Sequence, residues 1–149
     1  MKQRTIFFDM DGTIADLYGV KNWLQMLRNY DVTPYKIAHP MFDKQLFTNL
    51  LLKIKQRGYK LGIISWLSKD PNPTYGQAVT TTKIEWLYEQ LTGIVWDEIY
   101  IVPHGVPKSN FKKTNFDILF DDEEKNRIDW GTTYAYPPQM IEEILTQLD

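Results

Sequence analysis

Thr5-Ile6-Phe7-Phe8-Asp9-Met10-Asp11-Gly12-Thr13 runs from an unbroken apolar segment straight into two aspartates and a glycine. A short apolar run bounded by turn residues predicts a strand buried on both faces, here from Arg4 to Asp9. Strand side chains alternate with period two, so Asp9 and Asp11 lean the same way if the extended path continues to Asp11. Gly12 then lets the chain turn closely around whatever they bind. Two carboxylates held together at a strand end need a partner. The usual one is a hard cation such as Mg²⁺, which joins one or two carboxylates to a substrate phosphate.

Outward from this stretch the periods alternate. Asp16 is placed to cap a helical stretch from about Leu17 to Tyr30, and Asp31 to Pro40 reads as loop. Phe42, Leu46, Phe47, Leu50, Leu51 and Ile54 form a helical stripe that ends at Gly58. Lys60 to Ser65 is a second strand, Leu67 to Tyr75 a proline-bearing loop, and Val79, Lys83, Ile84, Leu87, Tyr88 and Leu91 recur at helical spacing. Glu98 to Val102 gives a third strand, Phe116 to Phe120 a fourth and Thr132 to Tyr136 a short fifth. Pro137-Pro138 opens a last helix that buries Met140, Ile141, Ile144, Leu145 and Leu148. The alternation predicts an α/β, Rossmann-like, doubly wound sheet, mostly parallel, of about five strands with helices on both faces. Ligands bind such sheets at the carboxyl ends of the strands.

Composition narrows the chemistry. The chain has 149 residues, 43% of them hydrophobic and 24% charged, which fits one domain over 1–149 with a short cap-like insert at about 17–40. No apolar run approaches the ~20 residues of a membrane span and no signal-peptide pattern opens the chain, so the expected location is cytoplasmic. Without cysteine there are no disulfides or thiolate nucleophiles, and the two histidines, His39 and His104, are the whole supply of imidazole. Carboxylates must do the work. A net charge of −2 with both signs interspersed argues against broad nucleic-acid binding.

The polar clusters all fall at predicted strand ends or in the loops beyond them. Asp9 and Asp11 end the first strand, Ser65 ends the second, Lys108 lies in the loop before the fourth, and Asp121-Asp122 end the fourth. At these residues the chain resembles the haloacid dehalogenase superfamily. In that family an Asp-x-Asp-Gly-[Thr/Val] strand end, a Ser or Thr after a second apolar strand, a Lys, and an acidic pair occur in this order. Here they read Asp9-Met10-Asp11-Gly12-Thr13, Gly62-Ile63-Ile64-Ser65, Lys108, and Ile118-Leu119-Phe120-Asp121-Asp122, over nearly the whole chain. The Asp-Met-Asp-Gly start with Ala15-Asp16, and Lys83-Ile84-Glu85-Trp86-Leu87 after the second strand, are similar to the 5'(3')-deoxyribonucleotidases of that superfamily. Small phage and bacterial members also look like this chain.

The resemblance implies a Mg²⁺-dependent phosphomonoesterase acting on a small phosphorylated substrate, with nucleotides among the candidates. Asp9 would be the nucleophile that forms an aspartyl-phosphate. Asp11 would be the general acid and base, and Ser65 would hydrogen-bond a phosphate oxygen. Lys108 would pair with the phosphate and with Asp9, keeping it ionised. Mg²⁺ would be held by Asp9, the main-chain carbonyl of Asp11, and Asp122, with Asp121 behind them orienting waters or Lys108. Gly12, Thr13 and Trp66 would border the substrate.

Rival readings accompany these. Lys83, Lys112 and Lys113 compete with Lys108, and Lys83 sits in a helical stripe where its stem can simply cover apolar surface. Asp11 and Asp16 can be turn and cap residues, and Asp121 to Glu124 can be the acidic start of a helix, a role compatible with a metal site. His104 and His39 read as exposed loop residues. Trp66 is either packing or cleft lining. Tyr18, Trp23, Tyr30 and Tyr35 in the insert can stack on a base or serve the core. The insert is short for a cap, and Leu17 stands where deoxyribonucleotidases have an aromatic, so an open cleft that admits large substrates is expected. Two alternatives follow: a phosphatase of nucleic-acid ends, and a non-catalytic module that sequesters or senses a nucleotide.

Overall fold

The computed structural model describes residues 3–148. Its centre is β1 (Thr5–Phe8), whose residues are all buried. Beside it lie β4 (Lys60–Trp66) and β6 (Ile118–Phe120), and β5 (Glu98–Val102) and β7 (Ala135–Tyr136) close the edges. The order is β5-β4-β1-β6-β7, and every pairing in this five-stranded sheet is parallel. Burial on both faces explains why β1 and β6 read as continuous apolar runs.

Alternation along the strands divides the core. Ile6, Phe8, Leu61, Ile63, Ile118 and Phe120 face Phe47, Leu51 and Ile54 of α3 (Lys44–Gln56), Trp86 and Leu87 of α4 (Pro73–Gln90), and Leu145 of α6 (Ile141–Gln147). Phe7, Ile64 and Leu119 face Trp130 of α5 (Glu124–Trp130) on the other side. This is the α/β, Rossmann-like, mostly parallel sheet with helices on both faces. Among the described residues no helix is long and apolar enough to cross a membrane.

Several boundaries differ from expectation, each for a local reason. The helix expected from Leu17 to Tyr30 is a 3₁₀ turn at Leu17–Gly19 followed by α1 (Trp23–Arg28). Asp16 does cap, but it accepts from the Gly19 N–H, and Asn22 then takes a left-handed conformation (φ 63°) that interrupts any continuous helix. The expected loop at residues 31–40 contains α2 (Thr33–Ile37) and β3 (His39–Pro40), which pairs antiparallel with β2 (Ala15–Asp16). Asp31 makes an Asx turn just ahead of α2, accepting from the Thr33 N–H and hydroxyl, while the cap position itself is Val32.

In α3 the stripe is narrower than expected, because Leu46 is exposed. The fourth helix begins at Pro73 rather than near Val79, with Asn72 accepting from the Tyr75 N–H, and it buries Trp86 where Tyr88 was expected. The fourth strand starts at Ile118, not Phe116. Buried Asp117 accepts from the Thr5, Lys113 and Thr114 amides and the Thr114 hydroxyl, which holds the preceding residues in a turn. In the last helix only Leu145 is fully buried; Ile141, Ile144 and Leu148 pack on the core from its edge.

Candidate active site

Asp9 continues the β1 path, its N–H donating to the Phe120 carbonyl at 2.9 Å. Beyond it the chain folds back tightly: the amides of Thr13, Ile14 and Ala15 all point at the Met10 carbonyl. Gly12 sits in this turn at φ +82°, and a Cβ there would lie 2.3 Å from Asp122 Oδ2, so the position excludes any larger residue on both grounds. Thr13 is buried, and its hydroxyl donates to Asp9 Oδ2 at 2.9 Å while accepting from the Asp122 N–H at 3.1 Å. It thus orients the carboxylate from behind, and it does not line the cavity above, the place expected for it as a substrate neighbour.

Lys108 is buried between two carboxylates, donating to Asp9 Oδ1 at 2.8 Å and Asp121 Oδ2 at 2.7 Å. Burial works against its charge, but Asp9 and Asp121 outweigh that and hold the ammonium above the ordinary lysine pKa. Asp121 is fully engaged: Oδ2 also accepts from Asn126 Nδ2 at 3.1 Å, and Oδ1 accepts from the Glu123 N–H. Burial, then the charge of Asp9, raises the pKa of both Asp121 and Asp122.

Carboxylate oxygens of Asp9, Asp121 and Asp122 lie within 4.8 Å of one another. Asp121 accepts from three protein donors and Asp9 from two, one on each oxygen, so lone pairs remain for a cation chiefly on Asp9 and Asp122. The bare Cα of Gly12 leaves space beside the Asp122 carboxylate. The donor set is all oxygen, which suits a hard cation such as Mg²⁺.

Asp11 turns away from this group. Its Oδ2 accepts from Lys83 Nζ at 2.9 Å, and the same ammonium donates to Ser65 Oγ at 2.7 Å and the Trp66 carbonyl at 2.8 Å. Burial raises the Asp11 pKa, and Lys83 opposes it. Lys83 is therefore not a stem covering apolar surface but a buried cation at the site. A charge inside an apolar helical stripe was the signal for it, since a buried ammonium requires partners. Ser65 lies beneath the cavity: it is completely buried, absent from the lining and bonded to Lys83, whereas a direct phosphate contact was expected of it.

Above these carboxylates lies a cavity of about 710 Å³. Asp9, Asp11, Lys108, Asp121 and Asp122 form its floor, and Trp66 borders it. The insert lines it through Leu17, Tyr18, Trp23, Leu24, Leu27 and Tyr35, and Leu67 packs in one cluster with Leu17, Trp23, Leu27 and Tyr35. The Tyr18 and Trp23 rings meet edge to face at 4.9 Å, while Tyr30 lies outside, bonded through its hydroxyl to Asp70. Trp66 is held by a 2.8 Å bond from Nε1 to the Val106 carbonyl and faces the exposed His104 ring at 4.7 Å, so it both packs and lines. The short insert therefore walls the cleft. Asn126, Leu24 and Leu27, none of them anticipated, also line it, and only Asn126, five residues after Asp121 in a polar stretch, carried any sequence signal.

No protein-family model matches the chain, and no curated protein matches it.

Proposed function

We propose that this protein is a Mg²⁺-dependent phosphomonoesterase of the haloacid dehalogenase type, working through an aspartyl-phosphate on Asp9. The observation that carries the reading is the clamp on Asp9: one oxygen against buried Lys108, the other against Thr13, at the floor of a cavity that also holds Asp11 and Asp122. A carboxylate meant only for structure would not be aimed into a cavity beside two others.

Asp9 attacks phosphorus in line; the new Asp9 O–P bond forms as the ester O–P bond breaks, and Asp11 gives its proton to the departing oxygen. Burial, which raises the Asp11 pKa, favours the protonated form needed there. Asp11 then takes a proton from water, whose oxygen attacks phosphorus and breaks the aspartyl O–P bond. Inorganic phosphate leaves and Asp9 is restored. Lys108 keeps Asp9 ionised, and of its three N–H donors the one not given to Asp9 or Asp121 is free for a phosphoryl oxygen. Asp9 and Asp122, with the Asp11 main-chain carbonyl as the resemblance implies, would hold Mg²⁺, which when bound offsets charge on the phosphoryl oxygens.

The walled cavity favours a small phosphorylated molecule, nucleotides included, over the end of a polymer. The test is phosphate release from nucleoside monophosphates, sugar phosphates and 3'-phosphorylated oligonucleotides, with Mg²⁺ or EDTA. Release that needs the metal and vanishes in Asp9→Asn supports the reading. Activity retained by Asp9→Asn, or absent from the wild type on every ester, refutes it.

A further inference from the structure

Lys83 stands apart from the residues that the proposed chemistry requires, yet it is among the most buried side chains in the protein, 1% exposed. An ammonium has three N–H donors. All three are spent, on Asp11 Oδ2, Ser65 Oγ and the Trp66 carbonyl, at 2.7–2.9 Å. The Tyr35 ring closes a further side at 5.1 Å. Lys83 therefore has no donor left for a substrate phosphate. Its partners are drawn from two strand ends, beyond β1 and at the end of β4, and it reaches them from α4.

Resting on the phosphomonoesterase reading, we propose that Lys83 is the positioning residue for proton delivery: it fixes the Asp11 carboxyl at the leaving-group side of the cavity and is itself anchored by Ser65. Three short bonds in three directions leave the ammonium one location, and a carboxyl tied to it through Oδ2 keeps Oδ1 directed elsewhere. In the forward step the Asp11 O–H bond breaks as the proton passes to the ester oxygen, whose bond to phosphorus breaks in the same event. Lys83 neither gives nor takes a proton. It determines where Asp11 is when one is needed.

This role has a signature that fold support or phosphate binding lacks. p-Nitrophenolate departs without protonation, whereas an alkoxide does not, so misplacing the acid harms only alkyl esters. The quantity to compare is kcat/KM, which covers steps up to departure of the leaving group and omits hydrolysis of the aspartyl-phosphate. Lys83→Met should lower kcat/KM on the best alkyl phosphomonoester by at least about 100-fold, the low end of a general acid's contribution. On p-nitrophenyl phosphate the loss should stay below about 10-fold. Ser65→Ala, which removes one anchor and keeps the lysine, should give the same selective loss on a smaller scale, and it decides the matter alone if Lys83→Met does not fold. Equal losses on the two esters, or none, overturn the inference while leaving the phosphatase reading intact. A wild type that releases phosphate from neither ester defeats that reading, and this inference with it.

Discussion

The floor of the cavity and its insert-built wall are held in different ways. At the floor, Asp9 and Asp121 leave adjacent parallel strands, and side chains of Lys108, Thr13 and Asn126 bond their carboxylates. Along the wall, Tyr18 and Trp23 stand on a 3₁₀ turn and a helix of six residues, where their rings meet edge to face and Trp23 packs against the cluster of Leu17, Tyr35, Tyr75 and Val79. The floor is fixed by directional bonds to groups whose backbone is already paired. The wall is fixed by contact area, which tolerates displacement. Under the proposed function, chemistry would fall to the bonded part and recognition to the packed part, a division that mutation can probe.

The largest effect is expected at the floor. Asp122→Asn should abolish Mg²⁺-dependent turnover, yet the metal-free variant should melt higher than the wild type by about 2–4 °C, the shift that about 1 kcal/mol gives in a chain of this size. The sign follows from linkage. Asp11, Asp121 and Asp122 have raised pKa values, so the folded protein binds protons that the unfolded chain, with carboxyls near 3.8, has released. Stability of the metal-free protein should accordingly rise as pH falls from neutrality toward that value, and more weakly in Asp122→Asn. Thermal melts in EDTA across pH check this, and a melting temperature that falls on substitution would contradict it.

A smaller change belongs to the wall. Trp23→Ala should raise KM by about 10-fold, the equivalent of about 1.4 kcal/mol, and leave kcat within about 3-fold. Steady-state kinetics on the best substrate decides: a drop in kcat with KM unchanged would erase the distinction between floor and wall. Smallest of all is Tyr30→Phe, which removes an exposed hydroxyl bond to Asp70 outside the cavity. Stability should move by less than about 0.5 kcal/mol and kinetics not at all.

The same division governs what could be read from sequence. The strands announced themselves through apolar runs, and Asp9, Lys108 and Asp121-Asp122 fell together because strand ends in a parallel sheet necessarily converge. The insert was harder. Asn22 at positive φ is a single-residue signal that a helical period over residues 17–30 overrides, and the Asp31 turn before Pro34 is another that polar loop composition hides. The meeting of Ser65 with Lys83 was not legible for one reason: which face of β4 points at α4 is set by the pairing register with β1, Phe7 opposite Gly62 and Phe8 opposite Ile63, and no local pattern states it. Thr13 was expected at the border of the substrate, whereas its hydroxyl bond to Asp9 depends on backbone curvature that the letters do not specify.

The central place of β1 also bears on the order in which the molecule acquires its parts. Its Thr5 amide waits for Asp117, 112 residues later, and the Asp9 carboxylate for Lys108, 99 residues later. Such distant closures are slow in folding, because the chain between them must be ordered before they stabilise anything. As the protein leaves the ribosome, β1 and β4 can meet early, whereas the groove on the far side of β1 stays vacant until β6 arrives. Asp9 precedes the lysine that clamps it by 99 residues, so a chain that ends short of Lys108 carries the carboxylate without its clamp.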